Sequence, residues 1–194
     1  MKKRIIDCTI EQFETIGLRK FTMDLIAAKL RISKRTLYLY FSSKDQLIEV
    51  CLKEWLHRKR LLEQNGETLI DDLCALYFGI KKIDLQRVAC CCRELRQSYI
   101  SVYQLIIKQL FDYAAACGAR TKQDVEAGYL CRTITPHTVF NIISDFLMRL
   151  FGNDQEYLLY KNYTVSPDML VIFARGLCTI KGRAYLEQRL KTLA

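Results

Sequence analysis

Residues Thr22–Leu47, TMDLIAAKLRISKRTLYLYFSSKDQL, predict two short helices joined by a tight turn and then the start of a third helix. Thr22 and Ser33 are suited to be N-caps, because a hydroxyl accepts a hydrogen bond from an otherwise unpaired amide in the first turn of a helix. Ser43, with Gln46 three residues later, has the spacing of a capping box. The stretch therefore has the pattern of a helix-turn-helix.

The second helix of this stretch, about 34–41, carries an unusual surface. Leu37 and Phe41 anchor it at a spacing of four residues, while the other positions hold hydrogen-bond donors and aromatic rings. A helix of this kind suits the major groove of DNA, where side chains reach base edges. We expect base contacts from Lys34, Arg35, Thr36 and Tyr38, and phosphate contacts from Thr22, Tyr40 and Lys44. Ser33 is expected to belong to the same DNA-binding surface.

These residues resemble the DNA-binding domain of the TetR family of bacterial transcriptional regulators. The resemblance covers about the first quarter of the chain. One departure is Arg31, which stands where the family usually has glycine. To keep the same turn, Arg31 must adopt a positive φ. The arginine side chain could also make an additional phosphate contact. The matching residues are Gly17, Phe21, Thr22, Ile26, Ala27, Ile32, Ser33, Thr36, Leu37, Tyr38, Tyr40, Phe41, Lys44 and Leu47.

The resemblance implies an all-α protein of two parts. An N-terminal helix-turn-helix domain of three helices, residues 1–47, would be joined by helix 4 to a helical ligand-binding and dimerisation core, residues 48–194. Composition agrees, since helical periodicity is common, strand-like alternation is scarce, and the chain of 194 residues holds only 8 Gly and 2 Pro. An all-α fold is therefore expected on both grounds.

The positive charge is concentrated at the N-terminus. Residues 1–60 hold 14 Lys and Arg against 7 Asp and Glu, and they contribute +7 of the net charge of +9. A generic solvated face does not explain that concentration, whereas a domain that binds the phosphate backbone requires it. The charge favours double-stranded DNA as the partner.

Nine cysteines predict free thiols in a reducing cytoplasm. Their number is odd, no CxxC pair has a partner pair, and the N-terminus lacks the apolar stretch of a signal peptide. No apolar run approaches the ~18–20 residues that span a bilayer, so no membrane contact is expected. The run Cys90-Cys91-Cys92 suggests a thiol or metal sensor, but adjacent helical residues point about 100° apart. We favour small buried hydrophobes and expect no metal.

Nothing in the sequence predicts catalysis or a cofactor. His57 and His137 lie far apart in sequence, and no GxSxG, GxGxxG or Walker A motif is present. The adjacent acids Asp71 and Asp72 fit a first helical turn, where the helix dipole explains them. The chain is not expected to be an enzyme.

Helical periodicity and punctuation place the remaining helices. Gly17 is expected to end the first helix as a left-handed cap, Gly118 and Gly152 to end two later ones, and Gln64-Asn65-Gly66 to form a loop. Thr135-Pro136 and Ser166-Pro167 mark two helix starts. The expected ranges are about 3–16, 44–62, 68–83, 85–97, 98–117, a weak helix and turn within 120–133, 135–151, 166–177 and 179–193.

The TetR resemblance also implies a pocket for a small-molecule effector and a dimer interface built from the last two major helices of the core. An aromatic or apolar residue at helical spacing is as readily a core residue, and that alternative stays open for each candidate. The pocket candidates are Trp55, Tyr77, Tyr99, Tyr103 and Phe111. The interface candidates are Val139, Phe140, Ile143, Phe146, Phe173 and Leu177.

The preferred interpretation is a ligand-responsive repressor that binds a palindromic operator as a homodimer. Two recognition helices about 34–36 Å apart read more sequence than one, which favours the dimer. Two alternatives remain: a thiol-redox sensor that uses the cysteine-rich core, and a helical small-molecule-binding module, or an enzyme, with a vestigial DNA domain.

Overall fold

The computed structural model describes residues 1–17, 20–59, 66–83, 85–151 and 166–193. Its regular elements are helices, so the expected all-α class is confirmed. Within the described ranges the helices are α1 Lys2–Ile16, α2 Met23–Leu30, α3 Lys34–Tyr40, α4 Lys44–Lys59, α5 Leu69–Lys81, α6 Leu85–Ser98, α7 Ile100–Glu126, α8 Pro136–Phe151, α9 Asp168–Leu177 and α10 Ile180–Leu193.

The predicted helix starts follow from local capping chemistry. Thr68 caps α5 and forms a capping box with Asp71, in which each side chain accepts from the other residue's amide. The hydroxyl of Thr135 accepts from the amide of Thr138 at 3.2 Å, which fixes the start of α8 as predicted. Thr179 caps α10 in the same way, through the amide of Gly182 at 3.1 Å.

One predicted helix end is wrong. Gly118 does not end a helix, because α7 runs through it and continues to Glu126, where a turn at Gly128 (φ 76°) follows. A Cβ built on Gly118 would lie 2.8 Å from the carbonyl oxygen of Pro136. This glycine therefore serves a close approach between α7 and the start of α8, and not helix termination.

Gly17 follows α1 with a positive φ, as predicted, but not as a left-handed helical cap. Its φ is 79° and its ψ is 169°, an extended combination that essentially only glycine adopts. Three predicted helix breaks lie outside the described residues. They are the loop at Gln64-Asn65, the helix end at Gly152 and the end of α4 beyond Lys59.

The chain divides into two compact units. The first contains residues 1–60 and 90–104, and the second contains 61–89 and 105–194. The first unit extends past the expected boundary at Leu47 because α4 packs on α1: Cys51 and Leu52 are buried, and the indole N–H of Trp55 donates to Glu14 Oε1 at 3.0 Å. A functional boundary at residue 47 stays a prediction.

The second unit contains buried charges that the sequence did not predict. Asp71 and Asp72 do lie in the first turn of α5, but both are buried, and so is Asp124 of α7. Arg120 Nη1 lies 2.9 Å from Asp72 Oδ2, and Arg189 Nε lies 2.6 Å from Asp71 Oδ1. The acidic pair is thus held by two arginines in addition to the helix dipole.

These carboxylates hold the start of α5 to the rest of the unit. Asp124 Oδ2 accepts from the amide of Leu69 at 2.6 Å, which satisfies a first-turn amide from another helix. Tyr185 donates its hydroxyl to Asp71, and Arg120 donates to the carbonyl of Gly66. In the ranges the structure describes, no helix combines the length and the apolar character needed to cross a membrane.

Candidate nucleic-acid interface

The turn between α2 and α3 is defined by three residues. The hydroxyl of Thr22 accepts from the amide of Leu25 at 3.2 Å and starts α2, and the hydroxyl of Ser33 accepts from the amide of Thr36 at 3.0 Å and starts α3. Between the two helices, Arg31 adopts φ 53° and ψ 45°, the left-handed conformation expected when arginine replaces glycine. The predicted geometry of this turn is confirmed.

Helix α3 is fixed by its two apolar anchors. Leu37 and the C-terminal neighbour Phe41 are fully buried, together with Phe21, whose ring packs edge-on against Phe13 at 5.2 Å. Because the anchors lie four residues apart, they occupy one side of α3 and turn the remaining positions outward. The two anchors hold the helix against the domain core and leave its donors on the outer surface.

The outward side of α3 carries aromatic, apolar and charged groups together. Tyr38 and Tyr40 are 47% and 41% exposed, and Arg35 is exposed as well. Thr36 is partly covered, and its hydroxyl shares a hydrogen bond of 2.8 Å with that of Ser33. Leu39, which was not among the predicted contacts, is 78% exposed.

Lys34 has a partner that the sequence did not reveal. Its ammonium lies 2.7 Å from Asp24 Oδ1, so the first turn of α3 is tied to the first turn of α2. The hydrogen bond to Asp24 raises the pKa of Lys34 above its ordinary value. Both side chains are mostly exposed, and water and salt screen the pair strongly. Because an ammonium has three donors and this pair is exposed, Lys34 can contact a further acceptor by sharing or by exchanging this carboxylate.

Lys44 is the first residue of α4 and is partly exposed. Its ammonium is 5.6 Å from the centre of the Phe21 ring, a cation–π distance that positions the charge. Ser43 caps the helix through the amide of Gln46 at 3.1 Å. The predicted capping box differs in one detail, because Gln46 Oε1 accepts from the amide of Ser42 at 2.6 Å. A lysine at a helix N-terminus suits a phosphate, although the carboxylate of Asp45 lies in the same turn.

The five pocket candidates are divided between the two units. Trp55 of the first unit is bonded to Glu14, and Tyr77 of the second donates its hydroxyl to Asp168 Oδ1 at 3.0 Å. Phe111 is exposed, with its ring 6.3 Å from that of Phe140. The other two candidates, Tyr99 and Tyr103, are half-buried and belong to the first unit. Their role in a pocket stays a prediction.

The six interface candidates fall into two groups. Phe140 and Phe173 keep partial exposure. A side chain already buried within one chain has no surface to offer a partner, so the other four are core residues of the second unit. Those four are Val139, Ile143, Phe146 and Leu177.

Exposed apolar side chains on the same helices were missed by the sequence reasoning. Ile142 lies on α8, and Met169 and Ile172 lie on α9, all with two-fifths or more of their surface open. A periodicity search selects the strongest apolar stripe, which is the core stripe, and passes over a second stripe beside it.

Five of the eight described cysteines are buried side chains. Burial raises the pKa of several thiols far above neutrality, so they stay protonated, and a thiol is much less reactive than a thiolate. Cys91 is half-buried, and the side chain of Cys90 lies outside the described set. The thiols with a pKa of about 12 are Cys51, Cys74 and Cys92, and Cys178 has a pKa of about 11.

The N-terminal region matches a known family. Residues 5–51 match the family model described as bacterial regulatory proteins, tetR family. A curated relative, the uncharacterized HTH-type transcriptional regulator YvaF of Bacillus subtilis (strain 168), is 42% identical over 65 residues. That alignment spans 34% of this chain and 34% of the relative, so it covers about a third of each protein.

Two solved structures resemble the whole chain. A TetR-family transcriptional regulator from Marinobacter aquaeolei VT8 has a TM-score of 0.67 at 15% identity, over 100% of this chain and 98% of that one. CprB of Streptomyces coelicolor, solved in complex with its biological operator sequence, has a TM-score of 0.62 at 19% identity, over 99% and 95% of the two chains. At these identities the likeness establishes the shared fold.

Proposed function

Because the N-terminal domain of this chain belongs to the tetR family of bacterial regulatory proteins, we propose that the protein is a DNA-binding transcriptional regulator. It acts in the cytoplasm as a ligand-responsive repressor and binds a palindromic operator as a homodimer. The observation that carries the proposal is α3, a helix anchored by Leu37 and Phe41 whose outward positions hold donors and aromatic rings.

The side chains of this surface divide into two roles. Lys34, Arg35, Thr36 and Tyr38 meet base edges in the major groove, and these contacts select the sequence. Thr22, Ser33, Tyr40 and Lys44 contact the sugar-phosphate backbone, which sets affinity and register. Thr22 can serve both the helix and the DNA, because a hydroxyl that accepts from an amide still has its own hydrogen to donate.

The homodimer is supported by unburied apolar surface on α8 and α9. Ile172 and the predicted contact Phe173 follow Met169 by three and four residues, so both lie on the same side of α9 as Met169. Ile142 adds a further exposed apolar side chain on α8. We assign the interface to these residues and to the partly exposed Phe140, and the predicted residues that are buried stay in the core.

Control by an effector requires that the ligand bind one arrangement of the protein better than another. The differential affinity sets the whole effect, typically about 1–3 kcal/mol of coupling between ligand and DNA. A small molecule that binds tightly and leaves operator affinity unchanged is therefore not the effector.

The test is selection of bound duplexes from a random DNA pool at physiological salt, with reduced wild-type protein. We expect an inverted repeat whose half-sites are one helical turn, about 34–36 Å, or a multiple of it apart. Failure of the wild type to enrich any duplex contradicts the regulator function.

Two matched variants separate the roles of α3. Tyr38→Ala and Tyr40→Ala each remove one tyrosine of similar exposure from the same helix. We expect Tyr38→Ala to change the enriched half-site, and Tyr40→Ala to weaken all sequences evenly. Identical profiles for wild type and Tyr38→Ala contradict the base-reading role of Tyr38.

A further inference from the structure

Leu39 is the most exposed apolar side chain of α3. It keeps 78% of its surface open, compared with 47% for Tyr38 and 41% for Tyr40 on either side of it. Single exposed leucines are common on protein surfaces. Exposure alone therefore assigns no role, and the position of Leu39 on the helix must supply the reason.

That position is the outermost ridge of the helix. Successive residues of an α-helix are turned by about 100°, so Leu39 points about 200° away from the fully buried Leu37. Arg35, also exposed, precedes Leu39 by four residues and lies on the same ridge, about 6 Å away along the helix axis. A surface that binds the side of α3 opposite Leu37 therefore contacts Arg35 and Leu39.

The chemistry of Leu39 limits what it can recognise there. A leucine side chain neither donates nor accepts hydrogen bonds, so it cannot read the amino, carbonyl or ring-nitrogen groups of base edges. The major groove displays one apolar group that marks a base, the C5-methyl of thymine. The positive charge of Arg35 on the same ridge favours nucleic acid over an apolar protein surface as the occupant.

We propose that Leu39 reads a thymine in each half-site by packing against its C5-methyl group. The inference rests on the proposed DNA-binding function and adds a residue that selects sequence. Since Arg35 lies about 6 Å along the same ridge, a guanine read by Arg35 falls about two base pairs from that thymine.

The first test removes the methyl and leaves base pairing intact. In the duplex selected by the wild-type chain, each thymine of a half-site is replaced in turn by deoxyuridine, and affinity is measured by fluorescence anisotropy at fixed salt. We expect one position at which the replacement weakens wild-type binding about four-fold, the effect of one buried methyl group. Leu39→Ala should bind the thymine and deoxyuridine duplexes equally at that position.

The control is Ile100→Ala, which trims another exposed apolar side chain of the same unit and should keep the thymine preference. Three outcomes are decisive. A wild type that binds its selected duplex with no dependence on any thymine methyl overturns the role of Leu39 and leaves the regulator function standing. The same holds if Leu39→Ala keeps the full preference. A wild type that selects no duplex overturns the regulator function itself.

A second variant tests the assignment without measuring small affinity differences. Leu39→Asn introduces an amide, which pairs with the N6 and N7 atoms of adenine in the major groove. Selection with this variant should change the enriched base at the assigned position from thymine to adenine and leave the other positions as they are. A profile identical to that of the wild type overturns the assignment.

Discussion

Lys34 and Asp24 form an ion pair whose side chains are 55% and 68% exposed, whereas Arg120 and Asp72 form one whose carboxylate has no exposed surface. The first pair lies on the surface of the N-terminal unit and is screened by water and salt, so it breaks and exchanges partners readily. The second is buried in the other unit, where an unpaired charge is costly. The exposed pair can therefore exchange its partners, whereas the buried pair has a fixed structural role.

The largest expected effect comes from breaking the buried pair. Arg120→Met leaves Asp72 without its ion-pair partner and should lower the free energy of unfolding by about 3–5 kcal/mol, measured by chemical denaturation followed by circular dichroism. The matched control is Arg175→Met, which removes an exposed partner of Glu187 in the same unit and should cost less than about 1 kcal/mol. Equal losses from both variants would contradict the contrast between a buried and an exposed ion pair.

The next effect concerns pH. Burial raises the pKa of Asp72 to about 6, although Arg120 opposes the shift, and Asp71 and Asp124 nearby add to it. The folded state then holds a proton that the unfolded state releases near pH 4, so this stabilisation is complete below about pH 4 and lost as pH rises through about 6. The stability of the wild type should decline over that interval.

Asp72→Asn tests this assignment, because an amide does not titrate. Its stability should vary less between about pH 4 and 6 than that of the wild type, by an amount on the order of 1–3 kcal/mol. Burial also raises the pKa of Asp124, so some slope should persist in the variant. Parallel pH profiles for the two proteins would assign the wild-type slope to other groups.

On the exposed surface the expected effects are smaller and depend on DNA. Arg35→Ala should lose about 1–3 kcal/mol of discrimination at one base pair of each half-site, because a base-reading side chain is removed. Lys44→Ala should weaken all duplexes alike and reduce the slope of log affinity against log salt by about 1 per subunit. Measuring both variants on selected and scrambled duplexes over a salt series separates the roles, and an unaltered salt slope in Lys44→Ala argues against its phosphate contact.

The smallest effect is local to the turn. Arg31 has a positive φ, which is unfavourable for a residue other than glycine. Glycine relieves this strain but adds conformational entropy to the unfolded chain. Arg31→Gly should therefore raise the free energy of unfolding by a net of about 0.5 kcal/mol. Trp55 is the only tryptophan and lies in the N-terminal unit, so its fluorescence reports this transition. If Arg31 also contacts phosphate, the more stable variant will bind DNA more weakly. If the free energy of unfolding of Arg31→Gly is unchanged or lower than that of the wild type, the turn at Arg31 is not strained.

Local rules predicted most of the N-terminal unit. The caps at Thr22 and Ser33, the anchors Leu37 and Phe41, and the positive φ of Arg31 each follow from residues within a few positions of one another. Such features are encoded where they act, so a sequence displays them directly.

The second unit resisted prediction where distant residues decide the structure. Gly118 has the local pattern of a helix end, and only the carbonyl of Pro136 shows why it lies inside α7. Asp71 and Asp72 fit an exposed first turn until Arg120 and Arg189 approach them. Which stripe of α8 is core and which is open likewise depends on neighbouring helices. Tertiary contact overrides local preference at these positions.

The bond between Asp124 and the amide of Leu69 joins residues 55 positions apart, and this separation bears on the order of folding events. The capping box of Thr68 and Asp71 closes over three residues and can form as soon as α5 does, whereas the distant carboxylate arrives only when a long loop has closed. In a denaturant series, Asp124→Asn should therefore speed unfolding and leave the refolding rate nearly unchanged. Helix α5 would begin from its own sequence and be secured last by a residue from another helix.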